Sequence, residues 1–481
     1  MIHKPTALSP RLREAYDPEN FRRLGHQLVD QLADHLQNVQ SEVERPVYHH
    51  ADPEAETEYW RRALDRSGLD QLPDWYARVV QHSIHLHHPR YAGHQISSPS
   101  PLAALSGLLT DLLNNGMGVY EMGVAATAME RVVIETVARQ FGMPATAGGY
   151  LTSGGTLANL TALLAARRHR APRDVWREGS NEKLAVLVCE EAHYCIDRAV
   201  RIMGLGEAGV RKIPATKDFK MRTELLEEHW QQARAEGLYP IAVVGSACST
   251  STGAYDDLEA IADFCEAKQL WFHVDGAHGA AVAFSGRYCQ LVKGIDRADS
   301  VTMDFHKMLL TPALATGLIF RELDASFATF SQRAQYLWSG ATDREWFNLA
   351  RRTFECTKSM MSVKVFTLLQ AYGTDLFDDY VSRCYDLGQY FAQLISQSPD
   401  LELATWPDGN IVCFRRMVGD LDEEGLNQLN GDIRRSIVES GAFYLVQTEL
   451  HGRCYLRVTL VNPLTSEEDL EELLNLVRRR V

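Results

Sequence analysis

The chain has 481 residues, of which 45% are apolar and 23% charged, enough for one large buried core with smaller appendages. A formal charge of -14 and a pI near 5.7, with no long basic cluster, argue against a nucleic-acid or anionic-membrane partner and leave a small molecule as the expected ligand. Nine cysteines at irregular spacing, with no CxxC pair or zinc-finger pattern, point to reduced thiols, no metal centre and a cytoplasmic location.

The start, Met1 to Arg13, is polar and proline-containing and lacks the apolar core of a secretion signal, and no apolar run is long enough to span a bilayer. Leu24, Leu28, Leu32 and Leu36 recur every four residues, so Phe21 to Val39 is expected to form an amphipathic helix. Its stripe needs a surface, in its own domain or on a second subunit. Pro46 to Pro53 is expected to be a linker, and a second helical arm with Tyr59, Trp60 and Leu64 follows before the turn at His88 and Pro89.

From about residue 100 to 320, helical patterns alternate with short β-rich runs at Ala185 to Cys189, Ile241 to Gly245, Leu270 to Val274 and Ser300 to Met303. Helices are expected between them, among them Leu157 to Arg168 and Asp256 to Lys268, which implies α/β units around a mostly parallel sheet. Ligands of such sheets collect beyond the carboxyl ends of the strands, where Asp275, Thr250 and Lys307 fall. Beyond Lys364, helices mix with short strands at Asn410 to Arg415 and Cys454 to Leu460, and the chain closes with a helix from Ser466 to Arg480. The expected division is an N-terminal helical segment over residues 1–87, a large domain over 88–363 and a small C-terminal α+β domain over 364–481. No internal repeat or low-complexity tract interrupts it.

Ser153-Gly154-Gly155-Thr156 precedes an apolar-striped helix, so free N–H groups and the positive helix end meet there as a phosphate cradle, or else Ser153 or Thr156 simply caps the helix. Lys307, one of ten lysines, lies between Val301-Thr302-Met303 and Met308-Leu309-Leu310, where lost solvation is expected to favour its neutral, nucleophilic form. Asp275 ends the apolar run Trp271 to Val274, and a carboxylate at such depth needs a cationic or hydrogen-bonding partner. The pair suits pyridoxal phosphate (PLP): the lysine captures the aldehyde, and the acid keeps the ring nitrogen protonated as an electron sink. His193 is placed to stack on a flat ring or to be a structural histidine at a strand end. His306 has a phosphate contact and a turn cap as its two readings.

Ser153-Gly-Gly-Thr-Leu-Ala-Asn, Glu191-Ala-His-Tyr, Val274-Asp-Gly-Ala and Asp304-Phe-His-Lys stand in an order and spacing similar to those of the group II PLP-dependent amino-acid decarboxylases. That family includes glutamate, aromatic-amino-acid, histidine, cysteine-sulfinate and 2,4-diaminobutyrate decarboxylases. The resemblance runs from His88 to the segment Leu456-Arg-Val-Thr-Leu-Val-Asn-Pro. It implies the PLP-dependent transferase fold type I, with a mostly parallel seven-stranded sheet flanked by helices in the large domain. It also implies a homodimer with active sites near the subunit interface.

By the same resemblance Lys307 forms the imine with the cofactor, Asp275 pairs with the pyridine nitrogen, and His193 and Ala277 cover the two ring faces. Gly155, Thr156 and His306 hold the phosphate, and Thr250 faces the cofactor. Asp304 stands where some relatives have asparagine, and its charge would repel a phosphate unless protonated or turned away. Lys358 stands at the position of an arginine that grips the substrate carboxylate, with a solvated helix residue as its plain alternative, and His94 and Gln95 fall where relatives shape the substrate pocket. Relatives that yield amines carry a loop tyrosine that protonates the substrate carbon. Here ungapped counting puts Asp343 at that position, and Tyr336 is the tyrosine nearby. The implied reaction is decarboxylation of an L-amino acid, of 2,4-diaminobutyrate-like or acidic type, to an amine. An aldehyde synthase, an aminotransferase, a carbon–carbon lyase and a catalytically silent homologue are its alternatives.

Overall fold

The computed structural model describes residues 6–41, 44–330 and 345–479. These fall into two compact units, one formed by Met1–Ala92, Gly431–Leu445 and Leu464–Val481 and the other by Gly93–Asn430 and Val446–Pro463. Among the described residues no helix is long and apolar enough to cross a membrane.

In the first unit the leucine stripe forms as expected, within the helix Pro18–Ser41, which packs on the helix Leu72–Gln81. The stripe is only partly covered: Val39 is buried, Leu24, Leu28 and Leu36 are half-buried, and Leu32 is exposed. The arm Pro53–Leu64 starts with proline in its first turn, and the Asp52 carboxylate accepts the Ala55 amide at 2.8 Å, so two helix-start devices coincide.

The second unit is built on a seven-stranded sheet of β1 (Gly148–Thr152), β2 (Leu184–Cys189), β3 (Val210–Ile213), β4 (Tyr239–Ser246), β5 (Trp271–Asp275), β6 (Ser300–Asp304) and β7 (Thr316–Phe320). Its order is β1-β7-β6-β5-β4-β2-β3. β7 runs antiparallel to both neighbours and the other pairs are parallel. Every residue of β2, β5 and β6 is buried, as the continuous apolar runs require of strands covered on both faces. β1, β3 and β7 are absent from the sequence expectations. Paired glycines in β1, the Arg-Lys pair in β3 and a glycine in β7 break the apolar runs that reveal the others.

The helix Gly155–Arg170 crosses this sheet and turns Ala158, Ala162, Ala165 and Ala166 onto it, small side chains that let helix and strands approach closely. The expected helix at Asp256 begins instead at Leu258, because Asp257 caps it through the Ala260 amide. Asp256 turns back to accept the Ser246 and Met221 amides. A smaller antiparallel sheet, in the order β10-β11-β9-β8, joins β8 (Leu401–Leu403), β9 (Ile411–Arg416), β10 (Val446–Leu450) and β11 (Arg453–Thr459).

The β1–β7 seam depends on Gly149, where a Cβ would lie 2.0 Å from the Leu318 carbonyl oxygen. Gly149→Ala is expected to cost about 1–3 kcal/mol through forced strand separation. Denaturant unfolding reads this as an earlier midpoint, and an unchanged midpoint would contradict the close approach.

Candidate active site

Six strands end on one edge of the large sheet. β2, β3, β4, β5 and β6 are parallel, and β1 points the same way because two antiparallel pairings through β7 separate it from β6. Chain continuity therefore delivers Ser153 to Thr156, His193, Thr250, Asp275 and Lys307 to that edge, each just past or at the end of its own strand.

The glycine turn closes directly on this edge. A Cβ at Gly155 would meet Asp304 Oδ2 at 3.3 Å and the Ala277 Cβ at 3.5 Å, so the turn touches the ends of β5 and β6. The helix starts at Gly155 with Gly154 as its cap residue, and no side chain bonds its first amides. Ser153 instead turns its hydroxyl to Glu355 Oε1. The ordinary cap is thus not made, and the helix start keeps its N–H groups and positive end for an anion. Thr156 is exposed in its first turn.

Asp275 is 7% exposed, and its contacts are weak: the Ala277 amide reaches Oδ1 at 3.3 Å and the Cys195 thiol reaches Oδ2 at 4.0 Å. A carboxylate at that depth with such partners suits a cation. The ligating atoms of His193, Cys195 and Asp275 lie within 4.8 Å of one another. Burial lowers the pKa of His193, with the Asp275 charge opposing, so its ring is held toward the neutral, stackable form. The Cys195 amide donates to His193 Nδ1 at 3.3 Å and fixes the ring.

Lys307 corrects one expectation. Burial pulls its pKa down, but the carboxylates of Asp304 and Asp275 outweigh burial and hold the ammonium above its ordinary value. Its Nζ lies 3.1 Å from Asp304 Oδ2. The neutral lysine expected from the apolar sequence fails because β6 ends in an acid three residues earlier. Asp304 is directed at Lys307 and at the Thr316 hydroxyl, a partner set by register, since Thr316 pairs with Asp304 across β6 and β7. His306 is buried, with Nδ1 3.0 Å from the Ala315 carbonyl and Nε2 3.6 Å from Asp304 Oδ2.

Among the expected substrate contacts, His94 is exposed and Gln95 half-buried, with Gln95 Nε2 buried and without a hydrogen-bond partner among the described residues. They precede Ser97, whose amide donates to the His306 carbonyl at 3.2 Å. Thr250 is half-buried in the turn after β4. Tyr336 and Asp343 lie outside the described residues. Lys358 is neither solvated nor available as a free carboxylate grip. It is buried, and its ammonium lies 2.5 Å from Glu130 Oε1 and bonds the Leu151 carbonyl. Burial lowers its pKa, with Glu130 opposing. The sequence reading missed Glu130 because the pair joins residues 228 positions apart. It also passed over Cys195 and Asn159, although His273 and Asp275, two apart on β5, mark the strand face they line.

Lys358→Met is expected to destabilise the protein by about 3–5 kcal/mol, because Glu130 would be left buried without its cation. Adding Glu130→Leu should restore part of that loss in denaturant melts. A single variant with unchanged stability and only a raised KM would contradict the buried pair and restore Lys358 as a substrate grip.

The residues at the sheet edge fit PLP: an open anion cradle, a buried carboxylate with room for a cation, a flat neutral imidazole and one lysine. Comparison with known proteins agrees. The family profile described as "pyridoxal-dependent decarboxylase conserved domain" matches residues 61–417. The chain is 26% identical over 465 residues to an aromatic-L-amino-acid decarboxylase of Bacillus atrophaeus, covering 95% of this chain and 94% of that one. It is 30% identical over 401 residues to an L-2,4-diaminobutyrate decarboxylase of Rhizobium meliloti (strain 1021), covering 83% and 79%. The crystal structure of mouse CSAD superimposes with a TM-score of 0.89 at 25% identity, over 96% of this chain and 99% of that one. A profile reaching from the N-terminal arm past the end of β9, on a fold shared almost end to end with a solved relative, establishes that the chain belongs to the group II PLP-dependent decarboxylase family, with PLP as its cofactor.

Proposed function

We propose that the protein decarboxylates an L-amino acid to the corresponding amine, with Lys307, Asp275 and His193 as its central residues. The observation that carries this reading is the gathering at one sheet edge, beside the uncapped helix start, of Lys307, 3.1 Å from Asp304, and of His193 and Asp275, whose polar atoms lie within 4.8 Å of each other. Bound PLP supplies an aldehyde for amine capture and a ring that accepts the electron pair left when carbon dioxide departs. Asp275 would pair with the ring nitrogen, His193 and Ala277 would cover the ring, and Thr250 would face it. The turn at Gly155 and Thr156, with His306, would hold the phosphate. Lys307 would enter this chemistry after its ammonium loses a proton, and Asp304 at 3.1 Å holds that ammonium in place until then.

His94 and Gln95 are assigned to the substrate, and the unpartnered Gln95 amide supports this by offering a buried donor. The relatives' names span aromatic, sulfinate, aspartate and diamino substrates, and we favour a 2,4-diaminobutyrate-like or acidic amino acid on the 30% identity to the diaminobutyrate enzyme. The loop residue Asp343, where amine-forming relatives carry tyrosine, favours aldehyde formation as a second reading unless Tyr336 supplies the proton. A homodimer is supported by the helix Pro101–Leu113, which exposes Leu102, Leu105, Leu108, Leu109, Leu112 and Leu113, a row that a second copy would cover. A cytoplasmic location is supported by nine cysteines free of disulfides.

Incubating the protein and PLP with a panel of L-amino acids, while measuring carbon dioxide, amine and aldehyde, tests this reading. One substrate should yield carbon dioxide and amine in equal amounts, and Lys307→Ala should abolish both. Aldehyde in place of amine would select the second reading, and normal turnover by Lys307→Ala would refute both.

A further inference from the structure

Trp271, His273 and Asp275 alternate along β5 and so share one face, the face covered by the helix Gly155–Arg170. Behind the Asp275 carboxylate that face carries a continuous run of buried polar groups. Trp271 Nε1 donates to Ser300 Oγ at 2.9 Å, and Ser300 Oγ lies 2.9 Å from His273 Nδ1. His273 Nε2 lies 2.9 Å from Asn159 Oδ1. Asn159 Nδ2 donates to Cys195 Sγ at 3.2 Å, and the Cys195 thiol points at Asp275 Oδ2 at 4.0 Å. Trp271, Ser300, His273, Asn159 and Cys195 are all at most 3% exposed.

We propose that Trp271, Ser300, His273, Asn159 and Cys195 form a one-way hydrogen-bond relay that positions Asp275, with Cys195 as its terminal donor. With its Nδ2 donating to Cys195, Asn159 turns to His273 an oxygen that only accepts, which leaves Nδ1 of the neutral ring to accept the hydroxyl hydrogen of Ser300, itself the acceptor of the Trp271 N–H. His273 then carries its single proton on Nε2 and gives it to Asn159 Oδ1. The Asn159 carboxamide donates onward to sulfur, which leaves the thiol hydrogen for the carboxylate. Every member is neutral, as burial favours: burial lowers the pKa of His273 to about 4 and raises that of Cys195 to about 12. In such a dry site each donor polarises the next, so the relay directs a partial positive charge at Asp275 without introducing a competing cation.

Cys195 acts twice. Its amide fixes His193 and its thiol faces Asp275, so one residue aligns the group expected over the cofactor ring with the group expected at its nitrogen. These are positioning residues, since none but Asp275 and His193 faces the cofactor. The inference rests on the proposed function for its purpose, but its geometry belongs to the cofactor-free protein. A reversed Asn159 carboxamide would demand the opposite histidine tautomer, with Nδ1–H donating to the Ser300 carbonyl at 3.1 Å.

That tautomer decides the matter. In cofactor-free protein labelled with 15N-histidine, with His273→Gln to assign the signal, His273 should be protonated on Nε2 and bare on Nδ1. Asn159→Leu should switch it to Nδ1–H. Protonation on Nδ1 in the unsubstituted protein would overturn the relay, whatever the enzyme's activity. A second readout separates positioning from packing. Cys195→Ala should weaken PLP binding by about threefold, the worth of one weak hydrogen bond, while Cys195→Ser should preserve it. Equal affinities for the two variants would also overturn it. Failure of the unsubstituted protein to bind PLP would count against the proposed function, while the tautomer would still decide the relay.

Discussion

The site depends on a carboxylate held where water cannot stabilise it. Asp275 closes the fully buried strand β5, and among the described residues its hydrogen bonds are long, an amide at 3.3 Å and a thiol at 4.0 Å. Removing a charge from water is costly unless a partner restores the lost interaction. On the proposed function the partner is the protonated ring nitrogen of PLP, and the unfavourable burial of the acid becomes affinity for the cofactor.

Around Asp275 the fold arranges charges in opposition. Lys307 answers to Asp304 as well as Asp275, so its ammonium is held charged until the cofactor arrives. The helix start at Gly155 is left without a side-chain cap and offers positive polarity at the same sheet edge. Between them His193 stays toward neutral because burial outweighs the nearby acid. A second charge pair, Lys358 with Glu130, is buried and closed on itself, which sets this cation apart from Lys307, the one proposed to take part in chemistry.

Much of this was legible in the chain. The apolar runs of β2, β4, β5 and β6 showed themselves because strands covered on both faces need no polar alternation, and the acid and lysine at their ends followed from chain continuity. β1, β3 and β7 were hidden by glycines and by charged side chains within short strands. The charge state of Lys307 was misread because local sequence reports apolar neighbours but not the direction of the Asp304 side chain. Lys358 was misplaced for a related reason: its partner Glu130 is distant in the chain, and only the folded packing joins them. The links from Asn159 to Cys195 and His273 are likewise tertiary, although the alternation of Trp271, His273 and Asp275 already marked a shared face.

The central claim is that the Lys307 amine and the Asp275 carboxylate hold opposite ends of one PLP molecule. A crystal structure of the protein with PLP tests it most directly. The account predicts a covalent bond between Lys307 Nζ and the aldehyde carbon, with the ring nitrogen within hydrogen-bond distance of Asp275. PLP bonded to another lysine, or a ring nitrogen facing away from Asp275, would contradict it.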